Sequence, residues 1–370
     1  MSATTLKTLA GIGIFAVFVA VGLSLRLGPD AVAAPSAESR GPSSHGDPAD
    51  AHSGGTPAAD GFVPAYLELH ESGELAERAR QLWAMMESCT LCPRSCGVNR
   101  LAGAQGFCRA PGTQLVVASV QPHFGEERPL VGRSGSGTIF FSHCNLRCVF
   151  CQNYQISILG RGNRTSIDEL ANAMLQLQAF GSHNINVVTP THYTPHIVAA
   201  IDVAAARGLR VPIVWNTSGW ERIEVLRLLD GIVDIYLPDM KFASSVEADQ
   251  FARSPGYPEE TRRAVLEMHR QVGVARPNSA GIVTRGLMIR HLVMPDSASG
   301  SKETLDWIAG NLPLDTYVNI MEQYTPHHEA FSFPRIARRV TTDEYRRVVD
   351  HAQRLGLTNL DSRTARWLND

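Results

Sequence analysis

The sequence predicts an α/β fold built from parallel βα units, and three observations carry that prediction. Short, mostly apolar runs alternate with amphipathic helical stretches from Gly137 onward, the pattern of strands joined by helical crossovers. Six such runs stand in the chain, "GTIFF", "INVVTP", "RVPIVWNTS", "IVDIYLPDMK", "LMIRHLVMP" and "YVNIMEQY", and their continuous apolar character suits a sheet covered on both faces. Helix-start signals accompany them: Ser166 with Glu169, and later Thr341 with Glu344, are spaced as capping boxes,. Consecutive right-handed units of this kind make either an open doubly wound sheet or a partial barrel. Both gather their reactive groups at the carboxyl ends of the strands.

Taken in order, residues 1–62 are expected to stand apart from the fold. Within them residues 9–25, "LAGIGIFAVFVAVGLSL", are 17 apolar or small residues behind a lone Lys7, at the lower limit of a membrane span. Ala31, Val32 and Ala33 offer the A-x-A pattern of a signal-peptide cleavage site,, so an anchor and a cleaved signal both stay open. From about 27 to 62, Pro, Ser, Ala, Gly and Asp prevail without hydrophobic periodicity, the composition of a disordered tether. Residues 63–134 hold four cysteines among Pro93, Arg94, Gly97 and Gly103, a loop context, and are assigned to a small metal-binding module. Residues 135–360 carry the βα units. Their first helix presents Ile167, Leu170, Ala171, Met174 and Leu175 on one face and stops at Gly181; the last presents Tyr345, Val348, Val349, Ala352 and Leu355 and stops at Gly356,. Residues 361–370 read as a tail.

A formal net charge of −2 gives no general attraction to polyanions, so nucleic acid is not an expected partner. The arginines between 335 and 366 are interleaved with Asp343, Glu344, Asp350 and Asp361, as on a solvated helix face.

All seven cysteines fall between Cys89 and Cys151. Such spacing suits thiolates converging on metal in a reducing environment better than disulfides. In "CNLRCVFCQN", Cys144, Cys148 and Cys151 directly follow the first predicted strand. Three thiolates can hold three corners of a four-iron cluster while the fourth iron stays open to a ligand. A structural zinc would want a fourth ligand, and His143 stands awkwardly next to Cys144; a disulfide would leave one thiol over. Cys89, Cys92, Cys96 and Cys108 form C-x2-C-x3-C-x11-C, a complete tetrahedral thiolate set. It suits structural zinc or an auxiliary [4Fe-4S] cluster, and only the latter relays electrons or binds substrate.

The C-x3-C-x2-C pattern with aromatic Phe150 before its third cysteine resembles the signature of radical S-adenosylmethionine (SAM) enzymes. "LCPRSCGVNR", "GSGTIFF", "CNLRCVFCQN", "VDIYLPDMKF", "NIMEQYTP" and the C-terminal helix resemble the PflX-type relatives of pyruvate formate-lyase activating enzyme, over roughly residues 86–360. The resemblance implies a partial (β/α)6 radical SAM barrel whose [4Fe-4S] cluster, on Cys144, Cys148 and Cys151, chelates SAM at its open iron. One low-potential electron, from a donor of flavodoxin or ferredoxin type, then splits the sulfonium into methionine and a 5′-deoxyadenosyl radical that abstracts hydrogen. The protein's task is to bind, orient and exclude water, with Phe150 near the adenine. A glycyl-radical enzyme as protein substrate is one form of this expectation.

The remaining strand ends are read beside that resemblance. The second ends in "TPTHYTP", a departure from the Gly-Gly-Glu segment that receives the SAM amino group in many family members. Thr189 and Thr191 offer hydroxyls or carbonyls for the same bond, or else only start a helix. His192 is an acid–base group or a structural histidine. Asn216, Thr217 and Ser218 after the third strand suit a ribose or amino-acid tail, or cap the next helix. Asp239-Met240-Lys241 is similar to the Asp-x-Lys of the activating enzymes, near a monovalent cation and the SAM carboxylate, and an ammonium facing a carboxylate makes physical sense. Arg290 matches the arginine of that family's Arg-x-x-x-x-Pro strand, a further SAM contact. Glu322 and Gln323 close the sixth strand without an assigned role. A radical SAM oxidoreductase is the expectation; a membrane-tethered iron–sulfur electron carrier or scaffold is its rival, motivated by the altered second-strand motif. Lys7 ahead of the apolar run favours an exported body, whereas SAM and low-potential electrons favour a body on the cytoplasmic side, anchored through residues 9–25.

Overall fold

The computed structural model describes residues 61–368. The predicted anchor, cleavage site and nearly all of the tether lie outside the described residues, and among the described ones no helix is long and apolar enough to cross a membrane. The described residues fall in one compact unit.

Eight strands make one mostly parallel sheet: β1 (Leu115–His123), β2 (Ser136–Phe141), β3 (Asn163–Thr165), β4 (Ile185–Val188), β5 (Ile213–Thr217), β6 (Ile235–Pro238), β7 (Gly286–Leu292) and β8 (Tyr317–Met321). Their spatial order is β3-β1-β2-β4-β5-β6-β7-β8. The six predicted runs are β2 and β4 to β8, all parallel. A doubly wound sheet reverses its order at a switch point; from β2 onward this one does not.

Two antiparallel strands extend the sheet beyond the predicted six. β1 pairs with β2, and β3 pairs with β1. β1 belongs to the stretch 63–134, so that stretch contributes to the same sheet as the units that follow. The helices Tyr66–Glu71 and Glu74–Ala84 also lie on the main body. Tyr66 donates to the Val211 carbonyl at 3.0 Å, the His70 and Asp202 side chains meet at 2.6 Å, and Trp83 packs on His196.

Alternation along the strands sorts the side chains onto two faces. Ile139, Val187, Trp215, Tyr236 and Leu287 stand side by side in register and join the main core with the helices. The next residue on each of three strands, Phe140, Val188 and Asn216, looks the other way into a cavity, which Arg290 of β7 and Asn319 of β8, paired two residues further toward the carboxyl ends, also line. Two residues earlier on β5 and β7, Val214 and Met288 pack with Leu130, Ile235 and Tyr317 and close the cavity toward the amino ends of the strands.

The connection between β1 and β2 reaches over to the last strand. Asn319 donates to Glu127 Oε1 at 2.8 Å, Arg363 donates to the Gly125 carbonyl at 3.4 Å, and Val283 N–H donates to the Pro129 carbonyl at 2.9 Å. Both predicted capping boxes form, at Ser166 on the helix Ile167–Ala179 and at Thr341 on the helix Thr342–Arg354. The segment read as a tail is docked: Thr364 Oγ1 bonds both backbone groups of Ile320, and Tyr317 donates its hydroxyl to Asp361.

Candidate functional site

A cavity of about 470 Å³ opens at the carboxyl ends of the strands. Cys144, Cys148 and Cys151 line one side, on the loop that follows β2. The loop is held by its backbone: His143 N–H donates to the Ile156 carbonyl, and Arg147 and Val149 N–H donate to the Ala252 and Phe251 carbonyls. Leu146, Val149 and Phe150 are buried in a second apolar cluster with Trp220, Phe242 and Phe251, so the loop is anchored between its cysteines. Phe150 packs edge-on against Phe242 and tilted against Tyr324 while still lining the cavity. Burial pushes the Cys144 thiol up to about 12 and Cys148 higher still. Without a bound cation these groups keep their protons; a metal would displace them.

Facing the thiols are the strand ends. Thr189, Asn216, Thr217, Ser218, Asp239, Lys241 and Arg290 all line the cavity. Arg290 Nε donates to Asp239 Oδ1 at 2.8 Å, Arg290 Nη2 donates to Asn216 Oδ1 at 2.7 Å, and the Lys241 ammonium contacts the other Asp239 oxygen. Burial alone would favour a neutral Asp239, but Arg290 and Lys241 hold its carboxyl below the usual range. Burial likewise opposes charge on Lys241, and Asp239 overrides it, holding the ammonium above its ordinary value. The Tyr257 hydroxyl ties these ends together, 2.6 Å from the Ser218 carbonyl and 2.8 Å from that of Asp239 while accepting from Lys241 N–H. Gly219 is required beside them. Its φ is +79° and a Cβ there would lie 2.3 Å from the Asp239 carbonyl oxygen,.

Two features of this wall point to a ligand. Ser218 Oγ is buried without a hydrogen-bond partner, an arrangement that costs free energy unless something bonds to it. Thr189 has φ of 61°, an uncommon and strained conformation for a β-branched residue. It stands where the Gly-Gly-Glu segment was expected and absent.

Not every predicted residue faces this cavity. Thr191 is buried and donates its hydroxyl to Glu221 at 2.6 Å. His192 lines a different cavity, and its Nε2 pairs with the Ser142 carbonyl at 2.8 Å. Glu322 pairs with Arg366, while Gln323 does line the site. Asn216, Thr217 and Ser218 do not cap the next helix, Ile223–Leu228, whose N-cap is Arg222.

Other residues enter that sequence reasoning passed over. Glu126 lines the cavity 3.5 Å from Arg290 Nη1. Burial pushes its carboxyl up to about 7 although Arg290 pulls the other way. Neighbouring Glu127 and Asn319, with Tyr324 and His327, complete the wall. The adjacent carboxylates of "FGEERP" were the available signal, but no periodicity ties a loop ahead of β2 to a site at the far strands.

Cys89, Cys92, Cys96 and Cys108 line a second, smaller cavity together with Arg94, Arg100, Asn145 and His192. All seven cysteines are free thiols. Among the described residues no three His, Cys, Asp or Glu side chains stand as a ready site for a single ion. Each cysteine set rings a cavity instead.

Thiols and hydrogen-bonding strand ends thus share one cavity at the carboxyl ends of a parallel sheet, and similarity supplies the class. Residues 138–291 match the radical SAM superfamily. The chain is also 31% identical over 281 residues to the uncharacterised protein MJ0674 of Methanocaldococcus jannaschii, a match covering 74% of this chain and 76% of that protein. The chain belongs to the radical SAM superfamily. Membership implies an enzyme of radical chemistry with a [4Fe-4S] cluster and SAM.

Proposed function

We propose that the chain is a radical SAM oxidoreductase in which Cys144, Cys148 and Cys151 hold the [4Fe-4S] cluster and the strand ends opposite them bind SAM. The observation that carries this is the single cavity shared by those thiols with Asn216, Ser218, Asp239, Lys241 and Arg290. When bound, cluster and SAM supply reductive cleavage of the sulfonium and a 5′-deoxyadenosyl radical that takes hydrogen from substrate. The chain's own residues do the positioning. Lys241 and Arg290 offer cations to the SAM carboxylate, Ser218 Oγ and Asn216 offer bonds to ribose or amino groups, and Phe150 gives an apolar surface beside the cysteine loop. The sheet, in strand order without reversal, is read as an incomplete barrel of six parallel strands, continued beyond β2 by β1 and β3, with the chain that follows β1 reaching to β8 through Glu127 and Asn319.

The narrower form is an activating enzyme acting on a glycine of a partner protein, supported by the Asp239-Met240-Lys241 and Arg290 matches. An electron donor of flavodoxin or ferredoxin type completes the reaction. The four-cysteine set is read as a second thiolate metal site, for zinc or a cluster. The test is anaerobic: the full chain is reconstituted with iron and sulfide, given SAM and dithionite, and assayed for 5′-deoxyadenosine against Cys148→Ala. Product only with the intact loop is the expected result; a cluster-loaded wild type that neither binds nor cleaves SAM would refute the reading.

A further inference from the structure

We infer that Cys89, Cys92, Cys96 and Cys108 hold a redox-active [4Fe-4S] cluster, not zinc, that hands single electrons to the three-cysteine loop across the contact between Arg94 and Asn145. This rests on the radical SAM reading above and adds an entry route for its electron.

The two cysteine sets are one residue apart in space. Asn145, fully buried, follows Cys144 in the loop, and it also lines the four-cysteine cavity. Its side chain is fixed: Nδ2 donates to the Trp220 carbonyl at 3.2 Å, and Oδ1 lies 3.8 Å from Cys144 Sγ. Arg94, between Cys92 and Cys96, donates from Nε to the Asn145 carbonyl at 2.6 Å and lies over the Phe107 ring. A continuous packed path therefore joins the sets, with no solvent layer needed between them.

The charges in the second cavity fit a thiolate-bound cluster. Arg100 is 1% exposed, and among the described residues it has no carboxylate partner. Nη1 and Nη2 donate to the His192 and Pro111 carbonyls at 2.8 and 2.9 Å, Nη1 lies 4.0 Å from Cys89 Sγ, and Nε has no partner. A buried guanidinium bonded only to neutral carbonyls is costly unless anionic charge lies beside it. Four thiolates on a cluster supply that charge, and donors near cluster sulfurs tune its potential. Zinc would satisfy the same charge but needs its thiolates converged on one ion; among the described residues no three of these side chains stand so, and the four cysteines ring a cavity instead. The position suits electron entry too. Ser95 and Gly97, flanking Cys96, are exposed, so the second set lies between the surface and the loop.

The electron flow balances in two steps. A reduced low-potential flavin or iron–sulfur protein gives up one electron, taking the second cluster from its 2+ to its 1+ state. That cluster returns to 2+ as the first becomes 1+, and neither step moves a proton or breaks a bond.

The first measurement uses the full chain carrying Cys144→Ala, Cys148→Ala and Cys151→Ala together, reconstituted anaerobically. Retention of about four iron and four sulfide per chain, with a paramagnetic signal after dithionite, is expected. Zinc in place of iron, or an iron site that dithionite cannot reduce, would overturn the inference. The second measurement takes Cys92→Ser, with Arg94→Gln as a milder variant should the first misfold. Rapid-freeze spectroscopy compares first-cluster reduction by a flavodoxin-type protein with reduction by dithionite. The ratio of the two rates should fall by an order of magnitude in Cys92→Ser, and Arg94→Gln should shift the midpoint potential of the second cluster. Unchanged ratios in both variants would overturn the relay. Failure of the wild type to cleave SAM with both clusters loaded would instead strike the preceding reading, and the iron count of the triple variant would stand regardless.

Discussion

Glu221 is held between the ends of β4 and β5 with almost no exposure, accepting hydroxyl hydrogens from Thr191 and Thr217 while Oε2 has no partner. Burial pushes its carboxyl up from 4.5 to about 7. The folded chain therefore holds a proton that the unfolded chain has lost, and this group's contribution to stability declines as pH rises from about 4.5 to about 7. Glu221→Gln keeps the acceptor and removes the charge. Its stability relative to wild type should be greater at pH 8 than at pH 5, by roughly 3 kcal/mol at most, and urea unfolding at the two pH values checks it; an offset independent of pH would count against a neutral buried Glu221. At Arg290 the effect is direct. Arg290→Met leaves Asp239 with Lys241 alone, so a loss on the order of 3 kcal/mol is expected, together with weaker SAM binding in a calorimetric titration. The cysteines, Asp239, Lys241 and Arg290 were legible as candidates because spacing and strand-end position mark them. Glu126 and Arg100 were not, since each meets its partners through contacts distant in sequence. Thr191 shows the opposite case: two residues after Thr189 in sequence, it turns to Glu221 and does not line the cavity.

Among the elements, six strands could be read directly because a strand buried on both faces is a continuous apolar run. β1 escaped that reading. Its burial fades from Leu115 toward His123, it carries Pro122, and it pairs antiparallel at the sheet's outer side, which weakens the signal that marks a central strand. Helix starts were equally clear where a side chain closes the first turn. Thr341 accepts from Glu344 N–H at 3.2 Å while the Glu344 carboxylate accepts from Thr341 N–H at 2.9 Å. Thr341→Ala should cost about 1 kcal/mol, measurable as a shift in urea midpoint. A null result would mean that the contacts of Glu344 with Arg338 and Asp296 N–H carry that turn by themselves.

At the scale of the whole molecule, the boundary expected at residue 134 runs between two paired strands, and the one expected at 360 cuts off a docked segment. Composition shows where chain stops being apolar; it does not show which polar segment will pair with a strand edge. Val318 N–H donates to the Asn359 carbonyl at 3.0 Å, and Asp361 N–H donates to the Val318 carbonyl at 3.0 Å. Deleting residues 361–370 removes the second of these bonds, both Thr364 bonds and the Asp361 partner of Tyr317. A loss on the order of 3 kcal/mol is expected from the buried polar groups left unpaired, and urea unfolding of the shortened chain measures it.

The two outer strands bear on solution behaviour. β3 is only three residues long, is largely exposed and carries Arg164, which donates to Gln114 at 3.2 Å; β8, at the opposite side, is covered by the chain from Asn359 to Thr364. A short, charged border and a covered one offer little template for strand addition by another molecule. Iron-free protein should therefore stay monodisperse in light scattering, whereas the chain ending at Leu360, with β8 uncovered from Ile320 onward, should self-associate as its concentration rises.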